Sequence, residues 1–198
     1  MEGIARARKL HSRCGLYRKT CSPLALAARS RYNLDMDDLL VRRATESDLP
    51  SLGRLGALLM QTHYAFDKQR FMAPGTNPAE GYSWFLGSQL HEEDAIVLVA
   101  ERTGVVVGYV YAGLEPRSWK ELREPAGFIH DVAVEESSRR TGVATALIEA
   151  AIEWLRAQGT PRVLLGTAEK NSAALSLFSR LGFRRTMIEM TRELQTEE

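Results

Sequence analysis

Three stretches of the chain hold side chains whose types and spacing can do chemistry. In "FIHDVAV" (128–134) an imidazole and a carboxylate, His130 and Asp131, interrupt an apolar run. An imidazole titrates near neutral pH and exchanges protons there, and a carboxylate does the same where its surroundings shift it. Eight residues after Asp131 begins "RRTGVAT" (139–145), two arginines and a glycine ahead of a long alanine-rich run. A helix N-terminus presents N–H groups with no intrahelical partner, and the aligned peptide dipoles add partial positive charge, so it holds anions. Gly142 lets a ligand approach that backbone closely, and Arg139 and Arg140 add fixed positive charge. The arrangement suits a pyrophosphate. It is neither a G-x-G-x-x-G fingerprint nor a P-loop, since the glycines of the first and the G-K-[ST] of the second are absent. The third stretch, "NSAALSLFSRLGF" (171–183), opens on an asparagine suited to capping a helix.

The elements that must position these residues follow from periodicity. "LLVRRAT" (39–45) predicts a strand, and "TESDLPSLGRLGALLMQTH" (45–63) a helix capped by Thr45 with Asp48 or by Ser47. Residues 66–78 carry Pro and Gly and predict a loop, and a second helix is expected within 78–93. Strands 95–101 and 105–113 form a hairpin about "RTG", with Val105, Val107, Tyr109 and Tyr111 expected on one face. A polar loop, 115–127, leads to strand 128–134, then helix 140–158, strand 161–168 and helix 171–181. Alternation in "FRRTMIEMTREL" (183–194) predicts one or two final strands. The order β-α-α-β-β-β-α-β-α-β gives an α/β mixed sheet with helices on both faces, not a doubly wound one.

The pairing of strand–"RRTGVA"–helix with strand–"N-x-A-A-x-x-L-F-x-x-L-G-F", 29 residues apart at Gly142 and Asn171, resembles the GNAT superfamily of N-acetyltransferases. The resemblance covers about residues 39–195 and rests on Arg139, Gly142 and Ala144 in the first motif. It implies a central, mostly antiparallel sheet and acetyl-CoA as acetyl donor, with no metal. By that resemblance the backbone of 140–145 (Arg140, Thr141, Gly142, Val143, Ala144, Thr145) grips the CoA pyrophosphate. Val132, Ala133 and Val134 pair with the pantetheine arm, and a backbone N–H there holds the thioester carbonyl. Asn171 matches the family asparagine that contacts the cofactor; it is a plain helix N-cap, a cofactor contact, or both. Phe178 falls among the cofactor contacts where many members carry a tyrosine that protonates the departing sulfur. Tyr109 and Tyr111 are the alternatives for that acid, or core residues.

Direct attack on the thioester requires a neutral amine, whereas an alkyl amine of pKa about 10.4 is mostly protonated at pH 7. A general base is therefore needed, and a backbone N–H stabilises the oxyanion that forms. His130 is ranked first, with Asp131 and Glu115 as the alternatives; strict alternation would let only one of His130 and Asp131 face the acceptor. Residues 61–85 and 115–127 are expected to build the acceptor cleft, with His63, Tyr64, Phe66, Arg70, Phe71 and Trp119 either lining it or covering the core. The acceptor is the amine of a small molecule or peptide. The alternative function is a catalytically silent CoA-binding sensor or interaction module, motivated by Phe178.

Composition bounds the rest. At 198 residues and 44% apolar, the chain has enough material for one core without disulfide or metal staples. No run approaches the roughly 20 apolar residues of a membrane-spanning helix, so no membrane is expected as partner. Residues 1–31 hold eight Lys/Arg against Glu2 alone, while the remainder carries 18 basic and 24 acidic side chains. An acidic body argues against nucleic acid as partner. The division expected is a basic extension, 1–35, and a GNAT-like domain, 36–198. The extension, with Cys14 and Cys21 as free thiols, is a disordered tail, an over-long start before Met36, or an organellar transit segment. A cytoplasmic location is expected otherwise, and a homodimer is compatible with the family resembled.

Overall fold

The computed structural model describes residues 38–194. The expectations for residues 1–35 lie outside the described residues. Five strands form one sheet in the order β1 (Leu39–Arg43), β2 (Ala95–Arg102), β3 (Val105–Glu115), β4 (Ala126–Val134) and β5 (Val163–Leu165). The first three neighbouring pairs are antiparallel, and β4 with β5 is parallel. Helices α1 (Leu49–Phe66) and α2 (Pro78–Gln89) cover one face, and α3 (Val143–Ala157) the other, with α4 (Ser172–Arg180) packed beside it. The mixed sheet between two helical layers agrees with the sequence expectation.

Each face has its own core. Against α3 the sheet presents Ile96, Leu98, Val110, Ala112 and Ile129, meeting Val143, Leu147, Ile148, Ala151 and Leu155. Those α3 positions recur every three or four residues, the spacing of one helix face. Full burial of each large side chain contributes about 1.5–3 kcal/mol. Against α1 and α2 the sheet presents Val97, Val99, Tyr109 and Ala133, meeting Leu52, Leu55 and Leu86.

Strand parity breaks twice. Between β2 and β3 the register passes from Ala100↔Gly108 to Glu101↔Val106, so Val107 is an extra, bulged residue. Val107 therefore packs with the α3 core, not beside Tyr109 as alternation predicted. Between β3 and β4 the register passes from Tyr111↔Asp131 to Ala112↔Ile129, and the extra residue is His130.

Three boundaries also differ from expectation. Helix α3 starts at Val143, because Arg140 and Gly142 before it have positive φ. Strand β5 is three residues long, paired only where it meets Gly127–Ile129. Residues 184–194 form no strand, and Met187, Ile188, Met190 and Leu194 in them are exposed. Alternation makes a strand only where a neighbouring edge accepts its hydrogen bonds. At the other end, Thr45 and Asp48 form the expected cap. The Thr45 N–H and hydroxyl both donate to Asp48 Oδ2, at 2.8 and 3.0 Å.

Candidate active site

The loop before α3 is shaped as an anion receptor. A short turn, Glu136–Ser138, leads into Arg139–Gly142, where Arg140 has φ 63° and Gly142 φ 85°. Left-handed residues interleaved with ordinary ones turn successive N–H groups toward a common point. The first intrahelical bond is Ala146 N–H to Gly142 O, at 3.0 Å. Among the described residues, no backbone N–H of 140–145 meets a protein acceptor. Arg140 holds a conformation that costs a residue with a side chain about 1–2 kcal/mol. Thr141 steadies the curl by donating to Ser138 O at 2.8 Å. Arg139 turns back so that Nε donates to Val134 O at 3.3 Å, which places its guanidinium at the end of β4.

Beside this loop, β4 offers an open edge. Its pairing with β5 stops at Ile129↔Leu165, whereas its pairing with β3 continues to Val134. Residues 131–134 are therefore laddered on one side only among the described residues. Val132 and Val134 direct their side chains to the α3 core and Ala133 to the opposite one, so the main chain is what that edge presents. Asn171 caps α4, its Oδ1 accepting from Ala174 N–H at 3.1 Å. Phe178 packs on Phe183, ring centres 5.9 Å apart, and against the α3 core. No hydroxyl stands at that position.

The three candidate bases come together on the face covered by α1 and α2. His130 is sandwiched between Tyr111 and Phe128, with ring centres at 4.7 and 4.8 Å and interplanar angles of 24°. Its Nε2 lies 3.4 Å from Glu115 Oε1. Asp131 points to the same face, its Oδ2 accepting from the hydroxyls of Tyr82 and Tyr109, each at 3.2 Å. The bulge thus overturns the expectation that His130 and Asp131 must face opposite ways. Burial pushes His130 below the usual histidine value, opposed by the carboxylates of Glu115 and Asp131. Burial pushes Asp131 upward, opposed by its two tyrosine hydrogen bonds and by the charges of His130 and His63. Tyr109 and Tyr111 are not spare acids. Tyr109 is fully buried and held well above the usual tyrosine value, chiefly by burial. The Tyr111 hydroxyl donates to Gln89 Oε1 at 2.8 Å.

Sequence reasoning placed residues 61–85 at the cleft, which takes in the first part of α2, but singled out neither Tyr82 nor Phe85 and stopped short of Gln89. Tyr82, Phe85 and Gln89 line one side of that helix and carry an edge-to-face chain, Tyr82–Phe85–Tyr111, into the His130 stack. Their spacing of three and four residues was the available signal. Of the expected cleft residues, His63 packs on Phe71 at 4.9 Å and Phe66 at 6.2 Å. Arg70 pairs with Glu189, and Arg117 lies over the exposed ring of Trp119. Lys68 Nζ sits 5.9 Å from the centre of the Tyr64 ring. A separate open cleft of about 810 Å³ lies between α1, the start of α2 and residues 135–137. Arg54, Leu58, Gln61 and Glu136 line it, and none of the three candidate bases does.

Known proteins resemble this chain in sequence and in fold. The sequence matches the model of the acetyltransferase (GNAT) family over residues 58–183. It is 29% identical over 157 residues to an uncharacterized N-acetyltransferase of Methanocaldococcus jannaschii, a match covering 79% of this chain and 65% of that relative. It is 25% identical over 154 residues to an N-alpha-acetyltransferase of Sulfurisphaera tokodaii, covering 75% of this chain and 81% of the relative. A solved protein of Bacillus halodurans has the same fold, with a TM-score of 0.67 at 22% identity, over 79% of this chain and 99% of the other. The fold is therefore that of a GNAT-type acyltransferase. The chain is a member of the acetyltransferase (GNAT) family.

Proposed function

We propose that the protein is an acetyl-CoA-dependent N-acetyltransferase acting on a primary amine of a small molecule or peptide. The observation that carries this reading is the loop at 140–145, whose N–H groups meet no protein acceptor, set beside the open edge of β4. The backbone of Arg140–Thr145, with the charge of Arg139 and Arg140, would hold the pyrophosphate, and Val132–Val134 the pantetheine arm. Asn171 would stand at the opening of α4 beside them. Bound acetyl-CoA supplies a thioester open to attack by an amine.

The chain's own residues supply the proton chemistry. A cationic amine is drawn toward the carboxylates of Asp131 and Glu115. His130, which burial keeps neutral at pH 7, accepts the ammonium proton at a ring nitrogen. Glu115, 3.4 Å from Nε2, then stabilises the imidazolium. The sulfur has no tyrosine at 178 to protonate it. A thiol of pKa about 8.5 leaves tolerably well without one.

Phe178 also favours a second reading, a CoA-binding module without turnover. Two measurements separate them. Amine-dependent release of CoA thiol across an amine panel marks the enzyme. Stabilisation by CoA with no thiol release from any amine marks the binder.

A further inference from the structure

Asp131 is held by more than the site's proton chemistry requires. Two hydroxyls, Tyr82 from α2 and Tyr109 from β3, donate to the same oxygen, Oδ2, at 3.2 Å each. Two hydroxyls donating to one carboxylate oxygen stabilise the charged form over the neutral one, so the pair favours ionisation. The helix that brings Tyr82 is fitted to the purpose. A Cβ at Gly56 of α1 would lie 2.1 Å from Tyr82 Cδ1, so the ring occupies the space that only glycine leaves. Five titratable groups face Asp131: Tyr82 on α2, Tyr109 and Tyr111 on β3, His130 on β4 and His63 on α1.

We propose that Tyr82 is a positioning residue: its hydroxyl keeps the Asp131 carboxylate ionised and aimed beside His130, and through that charge sustains the basicity of the imidazole. The inference rests on the reading of this face as the amine-facing site. Tyr109 alone leaves Asp131 with one of its two donors, and one donor favours the charged form less than two. Tyr82 is the donor that ties the acceptor-side helix α2 to the bulge at His130.

The test is Tyr82→Phe, which keeps the ring against Gly56 and deletes only the hydroxyl. The Asp131 carboxyl is followed by carbon NMR in the full chain without cofactor, assigned with Asp131→Asn. Its midpoint should rise by roughly one pH unit, the effect of losing a hydrogen bond to a charged group. The His130 ring midpoint should fall over the range where Asp131 becomes protonated. In turnover, kcat/KM should drop on the acid side, where a protonated Asp131 no longer draws the cationic amine, and return to the parent value at alkaline pH, with CoA-induced stabilisation unchanged. Gly56→Ala, which displaces the ring and leaves the hydroxyl, should shift Asp131 in the same direction. An Asp131 midpoint unchanged or lowered in both variants overturns the proposal. Because the NMR titration needs neither cofactor nor amine, a parent protein without acetyl transfer would count against the proposed function and leave this result to be judged by itself.

Discussion

His130 and Asp131 are consecutive in the chain, yet both side chains lie on the face covered by α1 and α2, because His130 is the extra residue of a bulge opposite Tyr111 and Ala112. An imidazole and a carboxylate that a regular strand would separate are thereby gathered with Glu115 around one spot.

Replacing His130 by Ala should lower kcat/KM by about 10²–10⁴ at neutral pH, the usual contribution of a general base. Activity should recover partly at high pH, where the amine deprotonates itself. In the parent, kcat/KM should climb as His130 loses its proton, with a midpoint below the ordinary value of about 6.5, since burial disfavours the imidazolium. A pH–rate profile of His130→Ala that overlays the parent would transfer the role to Asp131 or Glu115.

Gly142→Glu should abolish stabilisation by CoA. The glycine has φ 85°, a conformation that glutamate adopts at a cost, and the added carboxylate repels a pyrophosphate. For the parent, CoA at about a hundredfold excess over Kd should add about 2.7 kcal/mol, read as a rise in melting temperature. The variant should melt at one temperature with or without ligand. A parent-like ligand shift in Gly142→Glu would remove the loop from the binding site.

Phe178→Tyr should fold normally, the ring keeping its contacts with Phe183 and the α3 core. Thiol release should stay level or rise, by far less than the full range of acid catalysis. A large loss of activity with unchanged melting would show that Phe178 is itself required at the sulfur.

The N-terminal cap should set the acid sensitivity of the fold. Arg42 grips both oxygens of buried Asp48, at 2.8 and 2.9 Å, and holds its carboxyl at about 2. A carboxyl lowered on folding contributes stability that is complete above the unfolded value and lost as pH falls through the folded one. Denaturation should therefore show about 2 kcal/mol lost between pH 4 and pH 2. Asp48→Asn should be weaker at pH 7 and flatter across that window. An acid profile identical in the two proteins would rule Asp48 out as its source.

Much of this was legible in the sequence where local chemistry dictates local structure. Gly142 with its arginines marked the opening of α3, Asn171 that of α4, and Thr45 with Asp48 the first cap. What escaped was parity. Alternation tells which way a side chain faces only while the ladder is regular, and one extra residue at Val107 or His130 reverses it without a compositional mark. Residues 61–85 were expected at the acceptor side, but which of them reaches the bases was not legible, for a related reason. Tyr82 meets Asp131 across 49 residues of chain, a contact set by how closely α1 and α2 pack and not by any motif.

The short pairing of β4 with β5 has a consequence for the protein in storage and in the cell. A strand whose outer hydrogen-bonding groups are unpaired is a template on which another chain can assemble, and among the described residues four, 131–134, end in such an edge beside an apolar core. A cofactor arm lying along Val132–Val134 would occupy the same groups. If the proposed function holds, acetyl-CoA should then guard against self-association as well as donate its acetyl group, and the ligand-free protein should be the form that precipitates first.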